Sequence, residues 1–226
     1  MSILRLQGLV FCGAAILLAA VAATLGPLGS QIELIVIASL ILILGVPHGA
    51  LDTIFARQIY GIQNLRGWIL FSAIYLFLSA FVVGIWLLQP AIFLLAFLFI
   101  SAFHFSGDPA AGTPWPARAL YGGAAVILPA ALHAVETTRL FSLLAGESAT
   151  DLAMPWLVLL SWPWLAGLIL AAIQRMRTDW LTALELFSVG ILSVVAPPLL
   201  SFTLFFCTMH SARHILRTID YSAKSA

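Results

Sequence analysis

The sequence predicts an all-α integral membrane protein, a polytopic bundle of about eight transmembrane helices, with seven as the lower count. Of its 226 residues, 62% are apolar and only 8% are charged, whereas a soluble domain carries about 25% charged residues. Apolar runs recur that approach the roughly 20 residues needed to span a bilayer. No polar stretch is long enough to form a soluble domain, so we expect one transmembrane domain over residues 1–226. The net charge of +1 indicates no nucleic-acid partner.

Turn-forming residues divide the apolar runs into successive helices. The first run resembles a cleavable signal peptide, with Arg5 before it and Ala20-Val21-Ala22 near its end. It is nevertheless long enough to span, so we expect a retained helix. Later breaks are predicted at Gly26-Pro27, Gln89-Pro90, Gly112-Thr113-Pro114 and Ala196-Pro197-Pro198. The predicted spans are 8–26, 32–55, 67–88, 91–107, 118–135, 155–173, 180–196 and 198–217.

Loop charges predict the orientation of these eight spans. Basic residues concentrate in cytoplasmic segments of membrane proteins. With the N-terminus inside, nine of the ten basic residues fall on the cytoplasmic side, and only Arg139 lies outside. The nine are Arg5, Arg57, Arg66, Arg118, Arg175, Arg177, Arg213, Arg217 and Lys224. We therefore expect a multi-pass protein of the cell inner membrane with both termini in the cytoplasm, and residues 136–154 as the largest external loop.

Four of the five histidines end apolar runs at the predicted cytoplasmic face: His48, His104, His210 and His214. Ionisable side chains are costly within a bilayer and mark candidate functional sites. Three polar pairs have a spacing of four residues, which places both side chains on one face of a helix. These pairs are His48 with Asp52, His104 with Asp108, and His210 with His214. The pattern predicts a histidine-rich metal site between helices.

His133 is excluded from this site by its predicted depth. It lies near the external end of the fifth span, and a helix rises 1.5 Å per residue. It would therefore be most of a membrane thickness away from the other four histidines. We expect an interfacial or hydrogen-bonded histidine, with a role at a substrate entrance as the alternative.

The donor atoms restrict the metal without selecting one. Four imidazoles suit zinc, copper, iron or nickel. Cys12 and Cys207 are too few for a thiolate centre, and both are expected to be small buried hydrophobic residues. Asp52 and Asp108 are predicted to offset the metal's charge or to accept hydrogen bonds from the ligands' other ring nitrogens. Direct ligation by these carboxylates is the alternative.

Aromatic residues beside the histidines are candidates to line a tunnel for a rigid hydrophobic substrate. The chain contains 15 Phe, 7 Trp and 4 Tyr. Those that flank the predicted ligands are Phe103, Phe105, Phe205 and Phe206.

Three other functions fit parts of the pattern. A di-metal hydroxylase or desaturase would need more than five histidines. A bis-histidine haem protein, or another metal-binding membrane protein, would use the same four histidines. A proton-coupled transporter would use histidine and aspartate relays, although such folds often contain internal repeats and none is evident here.

The first histidine block closely resembles the G-x-P-H-G-A-x-D signature of the Brp/Blh-type membrane β-carotene 15,15′-dioxygenases of bacteria and archaea. The block reads Gly45-Val46-Pro47-His48-Gly49-Ala50-Leu51-Asp52. The resemblance continues at Leu128–His133 and at the closing His210-Ser211-Ala212-Arg213-His214, which is similar to that family's H-x-x-x-H. The segment Phe103–Asp108 resembles its F-H-F-G-x-x-D block, but Ser106 replaces glycine and the aspartate comes one residue early.

This resemblance implies a specific enzyme. Family members cleave β-carotene symmetrically with O2 into two molecules of all-trans-retinal. By resemblance, His48, His104, His210 and His214 would bind a single non-haem Fe(2+). The lipid bilayer would deliver β-carotene, and a rhodopsin is a candidate recipient of the retinal.

Overall fold

The computed structural model describes residues 2–25, 30–45, 57 and 60–225, and this part of the chain is helical with turns and no strand. Eleven α-helices are described: α1 (Ile3–Leu25), α2 (Ser30–Leu40), α3 (Leu65–Leu88), α4 (Pro90–Phe105), α5 (Trp115–Ile127), α6 (Pro129–Leu132), α7 (Ala134–Ala145), α8 (Glu147–Arg175), α9 (Trp180–Val195), α10 (Pro198–Leu204) and α11 (Ala212–Ser225). Two π-helical segments accompany them: π1 (Ile41–Gly45) follows α2, and π2 (Phe205–Ser211) joins α10 to α11. The prediction of an all-α fold is confirmed for this part of the chain.

Three of the described helices are long and apolar enough to cross a membrane. They are α1 over Ile3–Thr24, α3 and α8. The stretch Trp115–Leu132 together with α7 makes a fourth if the pair counts as one span, although it bends by 114°. With 16 residues each, α4 and α9 measure about 24 Å, which is shorter than the roughly 30 Å hydrocarbon core. The count of eight spans therefore stays a prediction.

The core lies where α1, α5, α8, α9 and π2 meet. Phe11, Tyr121, Leu186 and Phe205 are fully buried there. By contrast, α3 has no buried residue, as expected of a helix whose apolar surface faces lipid. Cys12 and Cys207 are free and buried, as predicted.

Small residues and hydrogen bonds bring α5 close to its neighbours. A Cβ on Gly122 would collide with the Ala102 carbonyl oxygen of α4. On the side facing α8, the Trp164 indole N–H donates to the Leu120 carbonyl at 2.9 Å. The contact of Gly122 lies near the end of α4, where the candidate site begins.

Two predicted segments differ from the structure. The predicted span 118–135 is interrupted at Leu128 and at His133, which begins the turn into α7. Residues 136–154, predicted as an external loop, are helical apart from Gly146. Gly146 has a φ of 84°, a conformation that glycine adopts without strain and that separates α7 from α8.

A side-chain cap begins α9 outside the apolar segments. Asp179 accepts hydrogen bonds from the Thr182 backbone N–H at 3.3 Å and its hydroxyl at 2.6 Å. Burial alone would raise the pKa of the Asp179 carboxyl, but these hydrogen bonds and the charge of Arg175 lower it overall. The ionised carboxylate therefore fixes the start of the helix that carries Glu185.

Candidate metal centre

His210 lies in a π-helical segment, a rare geometry that is frequent at functional sites. Its side chain is buried, with 3% of the residue exposed. Gln7 of α1 supports this distorted turn: its amide nitrogen donates to the Thr208 carbonyl at 2.8 Å and to the Met209 carbonyl at 3.4 Å. The α1 helix thus fixes the backbone that carries His210.

Asp108 holds the His210 ring through one nitrogen. Both carboxylate oxygens of Asp108 lie 3.0 Å from His210 Nδ1, and Asp108 is only 4% exposed. An ionised carboxylate can only accept, so His210 Nδ1–H is the donor, and in the neutral ring the lone pair is then on Nε2. Metal-binding histidines commonly have this arrangement, in which a carboxylate fixes the tautomer and orientation.

The turn after α4 places Asp108 opposite His210. The helix ends at Phe105, and Pro109 disfavours helical backbone at the residue before it. The prediction that His104 and Asp108 share a helix face is therefore wrong, because Asp108 lies beyond the helix. The structure pairs Asp108 with a histidine 102 positions later instead.

Two arginines of α11 hold the backbone of this turn. Arg217 donates to the carbonyls of Gly107 at 2.8 Å and Asp108 at 2.7 Å. Arg213 donates to the same Asp108 carbonyl at 3.0 Å. Charge-assisted hydrogen bonds of this kind are stronger than neutral ones. They hold the backbone of the turn, and thereby the position from which the Asp108 carboxylate extends toward His210.

A buried ion pair in turn fixes Arg213. Its two terminal nitrogens donate to the Glu185 carboxylate at 3.1 and 2.6 Å, and its Nε donates to Gln7 Oε1 at 2.9 Å. A Cβ on Gly8 would collide with Glu185 Oε1, so glycine leaves the space for this pair. The supporting roles of Gln7, Glu185 and Arg213 were not predicted from the sequence. A charged residue inside the apolar run 180–196 was the available signal for Glu185.

His104 lies beside His210, with ring centroids 4.6 Å apart. Three of the predicted tunnel residues surround or approach this pair. Phe105 and Phe206 lie 4.9 and 5.7 Å from the His210 ring, and Phe205 packs 5.2 Å from Phe105.

Phe103, the fourth predicted tunnel residue, is 60% exposed and packs against Trp115. It therefore lies at the protein surface. A lining role for any of the four phenylalanines stays a prediction.

Of the other predicted site residues, only His214 lies in the part of the chain that the structure describes. His48 and Asp52 lie outside the described residues. His214 is half-buried on α11, just beyond π2. Within the described ranges, no three His, Cys, Asp or Glu side chains are arranged to hold a metal ion. The two adjacent imidazoles and the carboxylate behind one of them fit part of a metal centre, and the four-histidine set stays a prediction.

His133 lies at a different position along α9 from the residues that support His210. Its Nε2 lies 3.0 Å from the Val194 carbonyl oxygen, near the end of α9. Glu185, which contacts Arg213, lies nine residues earlier on the same helix, or about 13 Å along its axis. His133 thus interacts with the opposite end of α9 from the residues that support His210.

Comparison with known proteins gives one family. A family model described as Beta-carotene 15,15'-dioxygenase matches residues 39–226. A curated protein named Beta-carotene 15,15'-dioxygenase, from uncultured marine bacterium 66A03, is 32% identical over 185 residues, which cover 78% of this chain and 66% of that protein. The match thus spans slightly less than two thirds of the relative's length. No solved structure matches the chain.

Proposed function

This chain belongs to the Beta-carotene 15,15'-dioxygenase family, and we propose that it cleaves β-carotene with dioxygen into two molecules of all-trans-retinal. The observation that carries the proposal is the family match over residues 39–226, which includes every predicted ligand. The buried contact of Asp108 with His210, beside His104, supports it independently. Cleavage breaks the central double bond and forms two carbonyl groups. The two oxygen atoms of dioxygen account for both, so the reaction needs no external reductant.

The proposed cofactor is Fe(2+), held by His48, His104, His210 and His214. Bound iron would supply the activation of dioxygen. The protein's own part is to present imidazole lone pairs in a fixed direction and to exclude water. For His210, Asp108 performs the first task by holding the proton on Nδ1. We propose that Asp52 serves the site in a related way, by balancing charge or accepting a hydrogen bond.

The membrane is the proposed source of the substrate. β-Carotene is a hydrocarbon that dissolves in lipid, and the described chain has several helices apolar enough to lie in a bilayer. We propose the cell inner membrane, with both termini cytoplasmic, because that orientation places nine of the ten basic residues inside. Retinal released there is a suitable ligand for a rhodopsin.

Expression in β-carotene-accumulating bacteria tests the reaction. Cells that make the protein should lose their orange colour and yield retinal. The His210→Ala variant should leave cells orange and the purified protein without iron. The His133→Ala variant is the matched control and should retain iron, because His133 interacts with the other end of α9. Orange cells that contain folded wild-type protein would rule out the reaction.

A further inference from the structure

An apolar cavity of about 260 Å³ lies between α4, α5, α7 and α10. Its walls include Leu98, Val126, Phe141 and Phe202. The hydroxyl of Thr137, which also faces it, already donates to the Pro129 carbonyl at 3.0 Å. The cavity is therefore suited to a hydrocarbon group, because a buried polar group would find few hydrogen-bond partners there.

The α4 wall of this cavity leads directly to the histidine pair. Leu98, Ser101 and Phe105 have the spacing i, i+3 and i+7, which places them along one face of the helix. The first two line the cavity, and Phe105 packs 4.9 Å from the His210 ring. Leu98 precedes His104 by six residues, or about 9 Å along the helix.

The α10 wall reaches the same histidine by a second route. Phe202 lines the cavity and stacks on Phe206, with centroids 6.0 Å apart and planes at 11°. Phe206 in turn lies 5.7 Å from the His210 ring at 30°. Phe202 also contacts Phe105 at 6.0 Å. Both walls therefore converge on His210 through aromatic side chains.

A larger groove lies between two other helices of the bundle. It measures about 740 Å³ and lies between α8 and α9, where Leu168, Gly190 and Ile191 are among its walls. The contacts described for the His210 ring come from α4, the turn after it and π2. The groove is roomier, but it is the smaller cavity whose lining residue Phe202 packs against two aromatic neighbours of His210, Phe105 and Phe206.

We propose that the smaller cavity binds one cyclic end group of the carotenoid and thereby sets which double bond reaches the histidines. This proposal rests on the proposed function. The conjugated bonds of a polyene are similar along its length, and the bulky ring at each end of β-carotene is its largest feature that marks position. β-Carotene is symmetric, and one end pocket at a fixed distance from the metal therefore defines the centre. Burial of the hydrocarbon ring supplies the binding free energy, and the aromatic side chains guide the chain toward His210.

Filling the cavity tests the proposal. Val126→Phe adds a ring to the cavity, and Val126→Phe combined with Phe141→Ala returns the space. Ile191→Phe makes the matched change in the larger groove. Each protein is purified without oxygen from β-carotene-accumulating bacteria, and the retained β-carotene per protein is measured by absorbance. Retinal is measured after air is admitted.

We expect Val126→Phe to retain about tenfold less β-carotene than wild type, because a pocket that loses space for part of a hydrocarbon loses on the order of tenfold or more in discrimination. The double variant should recover most of the binding, and Ile191→Phe should match wild type. If Val126→Phe fails to fold, Ser101→Leu fills the same cavity from α4 and should have the same effect.

Two outcomes would contradict the proposal that the smaller cavity binds the end group. One is unchanged β-carotene retention in the folded filled variants. The other is loss of retention in Ile191→Phe alone, which would assign the substrate to the larger groove. A wild-type protein that retains β-carotene and forms no retinal would instead overturn the proposed reaction. Even then, β-carotene retention by the filled and restored variants would show whether the substrate occupies the smaller cavity.

Discussion

At the scale of single residues, the contact between Asp108 and His210 decides which ring nitrogen of His210 faces a metal. The carboxylate accepts from Nδ1 at 3.0 Å with both oxygens. In the neutral ring the lone pair is therefore on Nε2, and the ring cannot turn without breaking a buried charge-assisted hydrogen bond. Arg213 and Arg217 extend this constraint by binding the backbone of the Asp108 turn.

Replacement of Asp108 should weaken metal binding without unfolding the protein. In Asp108→Asn the side chain keeps its shape but loses the charge that favours the Nδ1–H tautomer. Loss of such a carboxylate typically costs 10–100-fold in metal affinity or activity, so we expect a decrease of about that size in iron content and retinal formation. Elemental analysis and product assays measure the two. Asp151→Asn, at an exposed aspartate, is the control, and equal results for both variants would contradict the role of Asp108.

The ion pair of Arg213 and Glu185 should depend on both partners being present. Both side chains are buried. Arg213→Met or Glu185→Leu alone leaves one charge without its partner, which costs about 3–5 kcal/mol of stability. The double variant removes both charges and should recover much of that loss. Thermal unfolding in detergent measures the difference, with Arg177→Met at an exposed arginine as control. A double variant no more stable than the worse single variant would show that an unpaired charge is not the cause of the loss.

The sequence predicted the residue types of the site better than their partners. The cost of an ionisable group in a bilayer singles out His104 and His210 before any fold is known. The same reasoning assigns Asp108 as a hydrogen-bond partner of a histidine. The pairing itself joins positions 102 residues apart, and Gln7 reaches Arg213 across 206 positions. No local spacing encodes contacts of that range.

At the scale of helices, the close approach of α5 to α4 determines where the Asp108 turn begins. Gly122 faces the Ala102 carbonyl and the Ser106 backbone nitrogen. Ser106 lies directly after α4 and accepts, through its carbonyl, a hydrogen bond from Arg118 Nε at 2.8 Å. The position of this helix end thus depends on the absence of a side chain on α5.

Gly122→Ala should therefore separate the two helices and disturb the site. The added methyl group meets backbone atoms, which cannot move aside as a flexible side chain can. We expect a loss of about 1–3 kcal/mol in stability and a lower iron content. Gly84→Ala is the control because nothing lies within 4 Å of its Cβ position. The two variants can be compared by thermal unfolding and elemental analysis. If Gly122→Ala behaves like Gly84→Ala, the helices do not depend on this contact.

Helix ends marked by proline were predictable, and interruptions inside apolar runs were not. The breaks at Gln89-Pro90 and Gly112–Pro114 lie where the turn residues indicate. The interruption around Leu128–His133 occurs within an apolar stretch, where hydropathy gives no boundary. Charged residues led to the prediction of a loop over 136–154, but there they occupy the exposed faces of α7 and α8. Glu136 and Glu147 are exposed, for example, whereas Thr137 and Ala149 are buried.

At the scale of the whole molecule, a few long helices and several short ones surround His210, and His104 lies beside it at an exposed position. The long α1 and α8 flank α9, whose Glu185 holds Arg213. The short α4 ends inside the bundle, which is how Asp108 reaches π2. Composition predicted the membrane class, because burial of so much apolar surface needs lipid. Composition could not predict that apolar runs would be divided by bends and π turns, since these depend on contacts between distant segments.

The ratio of retinal formed to β-carotene consumed, measured on the purified protein, tests the proposed central cleavage. Protein loaded with Fe(2+) is supplied with β-carotene in detergent under air, and the carotene consumed and each aldehyde formed are quantified. We predict two molecules of retinal for each β-carotene and no aldehydes of unequal length, because the proposed cut is central. Consumption of β-carotene to unequal fragments, or no consumption by folded, iron-loaded protein, would contradict the account.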